Sequence, residues 1–313
     1  MLVFILKRIG LAIPTLLVVS LLVFFAAHMA PSDPVETRLG EKATAEQRQK
    51  MRHDYGLDLP IPVQYVRYVG GILHGDFGLS FARDGAPVSQ MIAEKFPVTM
   101  QLAVTALLFS TCLGIPIGAV AAYYHNTWFD RLTMAFVVAL VSVPSIVLGP
   151  LLVLVVAVQW RILPVSGWDT PWHVILPTIA LGSRSAAIVA RFMRASLLET
   201  LRQDYIRTAV AKGLSRPMAV LKHGIKNAFL PVLTVLGTNF GALLTGSFVV
   251  ESIFQVPGIG FISIQSITGR DYPVIEGMAL LVAAIYLTVN LGVDLLYGFI
   301  DPRVRASEAK EGA

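Results

Sequence analysis

Charge is scarce in this chain. Only 14% of its 313 residues are charged, against 55% hydrophobic, and the charges crowd into a few gaps between long apolar runs. That excludes an ordinary water-soluble domain and points to an integral membrane protein. A helix needs about 20 apolar residues to span the hydrocarbon core, whereas a barrel strand needs only about 10. The uncharged stretches here run far past strand length, as at 9–32 and 96–129, so the spans are helices that satisfy their own backbone hydrogen bonds. Cysteine is rarer still: the lone Cys112 excludes an intrachain disulfide and leaves the redox context open. No G-x-x-x-x-G-K-[ST] stretch occurs, so the chain does not itself cradle nucleotide phosphates. The six histidines (His28, His53, His74, His125, His173, His223) fall at no metal-ligand spacing, and no nucleophile motif appears, which argues against a membrane-embedded hydrolase. No convincing internal repeat supports a stand-alone ion-coupled carrier, although Asp294, Glu251 and Glu276 would be its relay candidates.

What is present sets out six spans. Lys7 and Arg8 precede an apolar run from Ile9 to Ser32, longer than a signal-peptide core and followed by no clear A-x-A site, so it reads as an uncleaved first helix. Residues 33–95 turn polar, with eight basic and nine acidic residues, and form an expected extracytoplasmic insert. Within it Thr44 and Gln47 have capping-box spacing, Gly56 closes that helix, and Pro62 opens another through Leu73. His74 to Ser80 reads as a turn. The second helix lies in 96–129, with Pro97 marking a late start and Pro116 a kink. Asp130 and Arg131 form a short turn, and the third helix covers 132–160 with Pro144 and Pro150 inside it. A Trp-rich loop leads to the fourth helix, 176–201, on which Arg184, Arg191 and Arg194 share an arc of about 80°.

An arginine stripe facing lipid is expensive, so these side chains face water, protein or headgroups. Arg184, the deepest, is the candidate for lining an anion-attracting cavity. The fifth helix, 227–250, carries Gly237, Gly241 and Gly246 at spacings that permit close helix approach. The sixth, 273–300, places Asn290, Asp294 and Tyr297 on one face, with Asp294 either functional or neutralising Arg191 or Arg194.

Between the fourth and fifth helices lies a basic, water-facing interruption, 202–226. It reads as a short helix from Tyr205 to Lys212, a break at Gly213 and a second helix begun by Ser215 and Pro217. From Arg191 to Lys226 there are eight Lys/Arg against two acids, the excess expected on a cytoplasmic face. Alternating the spans from an inner N-terminus puts this loop inside and residues 33–95 outside. The net charge of +5 is then that bias rather than a nucleic-acid footprint.

Tyr205 to Gly213 (YIRTAVAKG), with Lys222-His223 and Asn227-Ala228 through Pro231, resembles the coupling motif of ABC importer permeases of the oligopeptide/dipeptide subgroup. The similarity extends in order through GDFGLS (Gly75 to Ser80), ARFMRAS (Ala190 to Ser196), VESIFQVPGIG (Val250 to Gly260), RDYPV (Arg270 to Val274) and DLLYGFIDPRVR (Asp294 to Arg305), and suits the first, B-type subunit. The resemblance implies an all-α type I importer fold of six transmembrane helices with both termini cytoplasmic, in a bacterial inner membrane. It divides the chain into 1–32, an insert 33–95, a five-helix core 96–300 and a tail 301–313. Tyr205, Thr208, Ala209, Lys212, Gly213 and Leu214 would couple to the ATPase. Arg184, Asn239, Asn290 and Asp294 would line the translocation path, and Pro257, Gly258 and Gly260 would dock the binding protein. The implied partners are a second homologous permease, two ATP-binding subunits that hold ATP and magnesium, an extracytoplasmic substrate-binding protein and the bilayer, with no cofactor on this chain. Arg207 stands where the general motif has an acid, so no salt bridge is carried over there. Dipeptides or oligopeptides are the expected cargo, with glutathione, nickel complexes and sugars as alternatives.

Overall fold

The computed structural model describes the backbone of residues 2–29, 34–40 and 43–300. In chain order the helices are α1 (Leu2–His28), α2 (Pro34–Leu39), α3 (Ala45–Asp54), α4 (Ile61–Leu73), α5 (Val88–Tyr123), α6 (Trp128–Ser142), α7 (Ser145–Leu152), α8 (Trp172–Thr200), α9 (Asp204–Ala211), α10 (Arg216–Ala219), α11 (Lys226–Phe254), α12 (Ile259–Gly269) and α13 (Tyr272–Ile300). Wider π-helical turns follow α7 at Val153–Gln159 and α10 at Val220–Ile225. Among the described residues the only β pairing is one isolated bridge, Leu79 to Pro87. Five helical stretches are long and apolar enough to cross a membrane, and the broken pair formed by α6 with α7 makes a sixth.

The break in that pair has a local cause. A proline disfavours helical geometry in the residue before it, and Val143, ahead of Pro144, is extended at φ −86° and ψ 115°. The two halves meet at 100°. Pro97 behaves otherwise: α5 begins at Val88 and runs on without interruption, so the late start expected at Pro97 does not occur. Likewise Asp130 and Arg131 lie in the first turn of α6, capped by the Thr127 side chain, and the tight turn is Asn126, at φ 64°.

The described residues form two compact units: one of Met100–Val256 with 288–300, the other of Leu2–Thr99 with Pro257–Leu287. In the first, α5 and α8 approach at glycine. A Cβ on Gly114 would lie 2.6 Å from the Ala186 carbonyl oxygen, and one on Gly118 2.3 Å from that of Ala190. A Cβ on Gly182 would in turn lie 2.9 Å from the Ala106 carbonyl oxygen. Residue numbers rise together on both sides of this contact, so α5 and α8 run parallel. The chain between them therefore returns across the membrane once, which is the job of the broken α6–α7 pair. Ala122, Val189, Met193, Leu197, Ala228 and Val232 close the core of this unit.

In the second unit one buried carboxylate joins two distant stretches. Asp271 accepts hydrogen bonds from the Ser80 hydroxyl at 2.5 Å and from the Phe81 and Ala82 amides at 2.8 and 3.3 Å. This fixes the GDFGLS turn to the start of α13. The expected capping box at Thr44 and Gln47 is present. Gly56, at φ 64°, ends α3, and its Cβ-free face leaves room for the Arg67 guanidinium, which a Cβ would meet at 2.9 Å.

Candidate functional site

The basic interruption folds as its residues dictate. Gln203 is extended ahead of α9, and Ile206 is the one residue of α9 that is buried. The helix ends in a full Schellman arrangement. The Gly213 amide donates to Val210 O at 2.9 Å, and the Leu214 amide to Ala209 O at 3.2 Å. That geometry needs a left-handed residue, and Gly213 supplies it at φ 93°. Ser215 then precedes α10, with Pro217 in its first turn, as the sequence suggests.

Around this corner lies an open hollow of about 440 Å³ lined by Tyr205, Thr208, Ala209, Lys212, Gly213, Leu214 and His223. The six residues expected to form a coupling surface thus line one concavity. His223 joins them from the π-helical turn; it was legible as part of the motif but not as part of the contact set. Tyr205 is 44% exposed, and Thr208, Lys212 and Gly213 are exposed too. The segment is anchored from behind by Ile206, Ala219 and Val220 and by Gly224, which faces Leu197. The face is therefore held by apolar packing and presents polar and small groups outward. Arg207 pairs with Asp204 at 3.7 Å on the exposed side, an interaction of small weight.

The other expected site residues are dispersed. Arg184 is exposed within a stretch of α8 whose neighbours from Ala180 to Ala187 are otherwise buried, so it marks the face of α8 that the chain leaves uncovered. Asn239 on α11 is half-buried, and its side-chain amide nitrogen is buried with no hydrogen-bond partner. Asn290 is half-buried. The side chains of Asp294 and Tyr297, and the surroundings of Gly246, lie outside the described residues. Gly258 and Gly260 are buried and Pro257 half-buried; the Ile259 amide between the glycines donates to Thr99 Oγ1 at 2.9 Å. The exposed residue at that turn is Gln255, left-handed at φ 53°.

Arg194 takes a partner the sequence did not suggest. Its Nε and Nη2 donate to the two carboxylate oxygens of Asp130, each at 2.7 Å, with the Asn126 amide adding a third donor at 3.1 Å. Asp130 is 2% exposed. This bidentate pair neutralises Arg194, and it ties the α5–α6 turn to the end of α8. Asp130 sits only two residues beyond a helix start, and no local pattern marks a partner 64 positions away.

A short capped helix bearing an open hollow is thus set between two membrane-spanning stretches, α8 and the one that begins at Arg216. The chain belongs to the binding-protein-dependent ABC importer permeases. Residues 114–306 match the family described as the binding-protein-dependent transport system inner membrane component, and residues 1–103 match its N-terminal region. It is therefore a multi-pass inner-membrane transport component. The chain is 43% identical over 305 residues to the glutathione transport system permease protein GsiC of Salmonella paratyphi A and to that of Escherichia coli K12, in each case covering 97% of this chain and 99% of the relative. Two solved structures share the fold. An inward-facing MetNI methionine ABC transporter matches with a TM-score of 0.59 and 19% identity, over 68% of this chain and 97% of that one. An amino acid ABC transporter crystallised with histidines matches with a TM-score of 0.52 and 21% identity, over 69% and 94%.

Proposed function

We propose that this permease imports short peptides, glutathione-like tripeptides included, through a path formed with a second homologous permease and driven by two separate ATP-binding subunits. The hollow at α9 carries the coupling half of this reading: six residues named from the motif line it together. ATP and magnesium belong to the ATPase partners, since no phosphate-cradling motif occurs in this sequence. Closure of those partners pushes on α9, and α9 must meet different contacts in the inward and outward states for ATP to shift the balance between them. The Lys/Arg excess around 202–226 supports a cytoplasmic position for that loop, and alternation of the spans then gives both termini the same side. A binding protein then delivers cargo to the opposite side. The cargo half is supported by relatives that carry glutathione in their names.

The test is a mild-detergent pull-down of this chain from its native membrane, followed by proteoliposome uptake with the recovered complex. Recovery of ATPases, a second permease and a binding protein, with ATP-dependent uptake of labelled glutathione or a dipeptide, is the expected result. Uptake of neither, with transport of a nickel complex or a sugar, would reassign the cargo. Recovery of the chain alone, still transporting without ATP, would overturn the coupling reading. Arg184 enters here as a cargo contact: its exposed guanidinium suits a peptide carboxylate, so Arg184→Ala should slow uptake severalfold while ATPase recovery in the pull-down stays unchanged.

A further inference from the structure

The polar stretch between the first two membrane helices holds a helix that does not behave as part of a water-surrounded insert. We propose that α4 lies within the outer edge of the hydrocarbon layer beside α1, on the side where α1 ends at His28, and that its exposed face contacts lipid acyl chains.

The argument begins with depth. Lys7 and Arg8 fix one boundary of the first span, and its candidate crossing runs 21 residues from Arg8 to His28. At 1.5 Å per residue that is about 30 Å, the thickness of the hydrocarbon core. His28 therefore sits near the far boundary. Ser20 lies about 12 Å, and Phe24 about 6 Å, inside it.

All three of these levels of α1 are in contact with α4. His28 Nε2 and Gln64 Oε1 are 3.1 Å apart. The Tyr65 hydroxyl is 2.9 Å from Ser20 Oγ and 3.4 Å from Leu17 O. Tyr68 stacks on Phe24 with ring centroids 6.0 Å apart. These contacts run from the boundary to about 16 Å inside it and centre at about 8 Å, within the zone of about 5–10 Å in which an amphipathic helix rests at a membrane surface. A helix surrounded by water could not reach so far down α1.

The two faces of α4 fit that position. Gln64, Tyr65 and Tyr68 turn their polar atoms towards protein, and the Gln64 amide nitrogen also donates to Leu59 O at 2.7 Å. The outward face is apolar at helical spacings of three, seven and ten: Val63 is 48% exposed, Val66 70% and Leu73 80%. α1 likewise exposes apolar side chains over the same levels, at Leu21, Leu22 and Phe25. The one charge on α4, Arg67, folds its guanidinium back towards Gly56 at the turn before the helix, as a side chain reaching for the polar boundary does.

The test uses the assembled importer in nanodiscs, in a Cys112→Ser background because Cys112 is exposed. A nitroxide is attached at Val66→Cys, and separately at Leu73→Cys and at Leu22→Cys as the lipid reference. Collision with oxygen, which partitions into lipid, is compared with collision with a water-soluble nickel chelate. The expected result is oxygen-dominated collision at 66 and 73, as at 22. Chelate-dominated collision at both would return α4 to water. Protection from both reagents at the two positions would mean that another subunit covers this face. Either outcome overturns the proposal, and two independent sites keep it decidable if one variant fails to assemble.

Discussion

Nothing lies within 4 Å of the position a Cβ would take at Gly213, so a larger residue there meets no neighbour. What it meets is its own backbone, held at φ 93° by the Schellman bonds that end α9. A left-handed residue with a Cβ costs about 1–2 kcal/mol, and Asn bears that cost better than Ala. Gly213→Ala should therefore weaken ATPase retention in the pull-down more than Gly213→Asn, an order opposite to one set by packing and readable from band intensities alone. Asp271 poses the reverse case, in which the side chain matters and the backbone does not. Its carboxylate satisfies the Ser80 hydroxyl and two amides in a buried setting. Hydrogen bonds to a charged group contribute about 1.5–3 kcal/mol, and orphaned donors cost their desolvation. Asp271→Ala should lower the melting temperature of the purified chain well below that of Ser80→Ala, which removes one donor and leaves the carboxylate two. Equal losses would show that the amide bonds carry little.

At the scale of elements, close approach and breaks are what organise the first unit. The α5–α8 contact rests on Gly114 and Gly118, four residues apart on α5, each facing a carbonyl oxygen of α8. In a bilayer no hydrophobic drive brings helices together, so the closeness that small residues allow is itself the attraction. Overpacking such a seam costs about 1–3 kcal/mol, and more where backbone is the obstacle. Gly118→Leu should reduce the yield and melting temperature of the complex, whereas Gly10→Leu on α1, where a Cβ meets nothing, should leave both unchanged. The spacing Gly114-x-x-x-Gly118 is as plain in the sequence as Gly237-x-x-x-Gly241. Of the latter pair Gly237 does approach Val293, whose Cγ2 a Cβ would meet at 2.4 Å. The prolines were less legible. Pro144 breaks its span while α5 runs uninterrupted through Pro97 and Pro116, and a lone sequence gives no means of ranking them, because the outcome depends on whether neighbouring groups re-satisfy the freed backbone.

Across the whole molecule, features written within about four residues were legible, and features that join distant residues were not. The capping box at Thr44, the glycine stops at Gly56 and Gly213 and the six spans all follow from local chemistry. The Asp130–Arg194 pair and the Asp271 clamp each join residues more than sixty positions apart, with nothing local to announce them. The coupling surface belongs to both kinds: its residues lie in one motif, but their convergence on a single hollow with His223 is a tertiary fact. That hollow sets up a test of coupling apart from folding. Tyr205 is 44% exposed, and Ile206 beside it holds α9 down, so Tyr205→Ala should leave the melting temperature of the isolated chain unchanged. A buried aromatic anchor at an interface is worth about 2 kcal/mol or more, or about a thirtyfold loss in affinity. Tyr205→Ala should therefore lower the fraction of ATPase retained at limiting concentration, and adding excess ATPase should restore uptake. If retention stayed normal while uptake fell and excess ATPase failed to rescue it, Tyr205 would transmit the stroke without supplying grip. The coupling contact would then have to be sought among Ala209, Leu214 and His223, which line the same hollow.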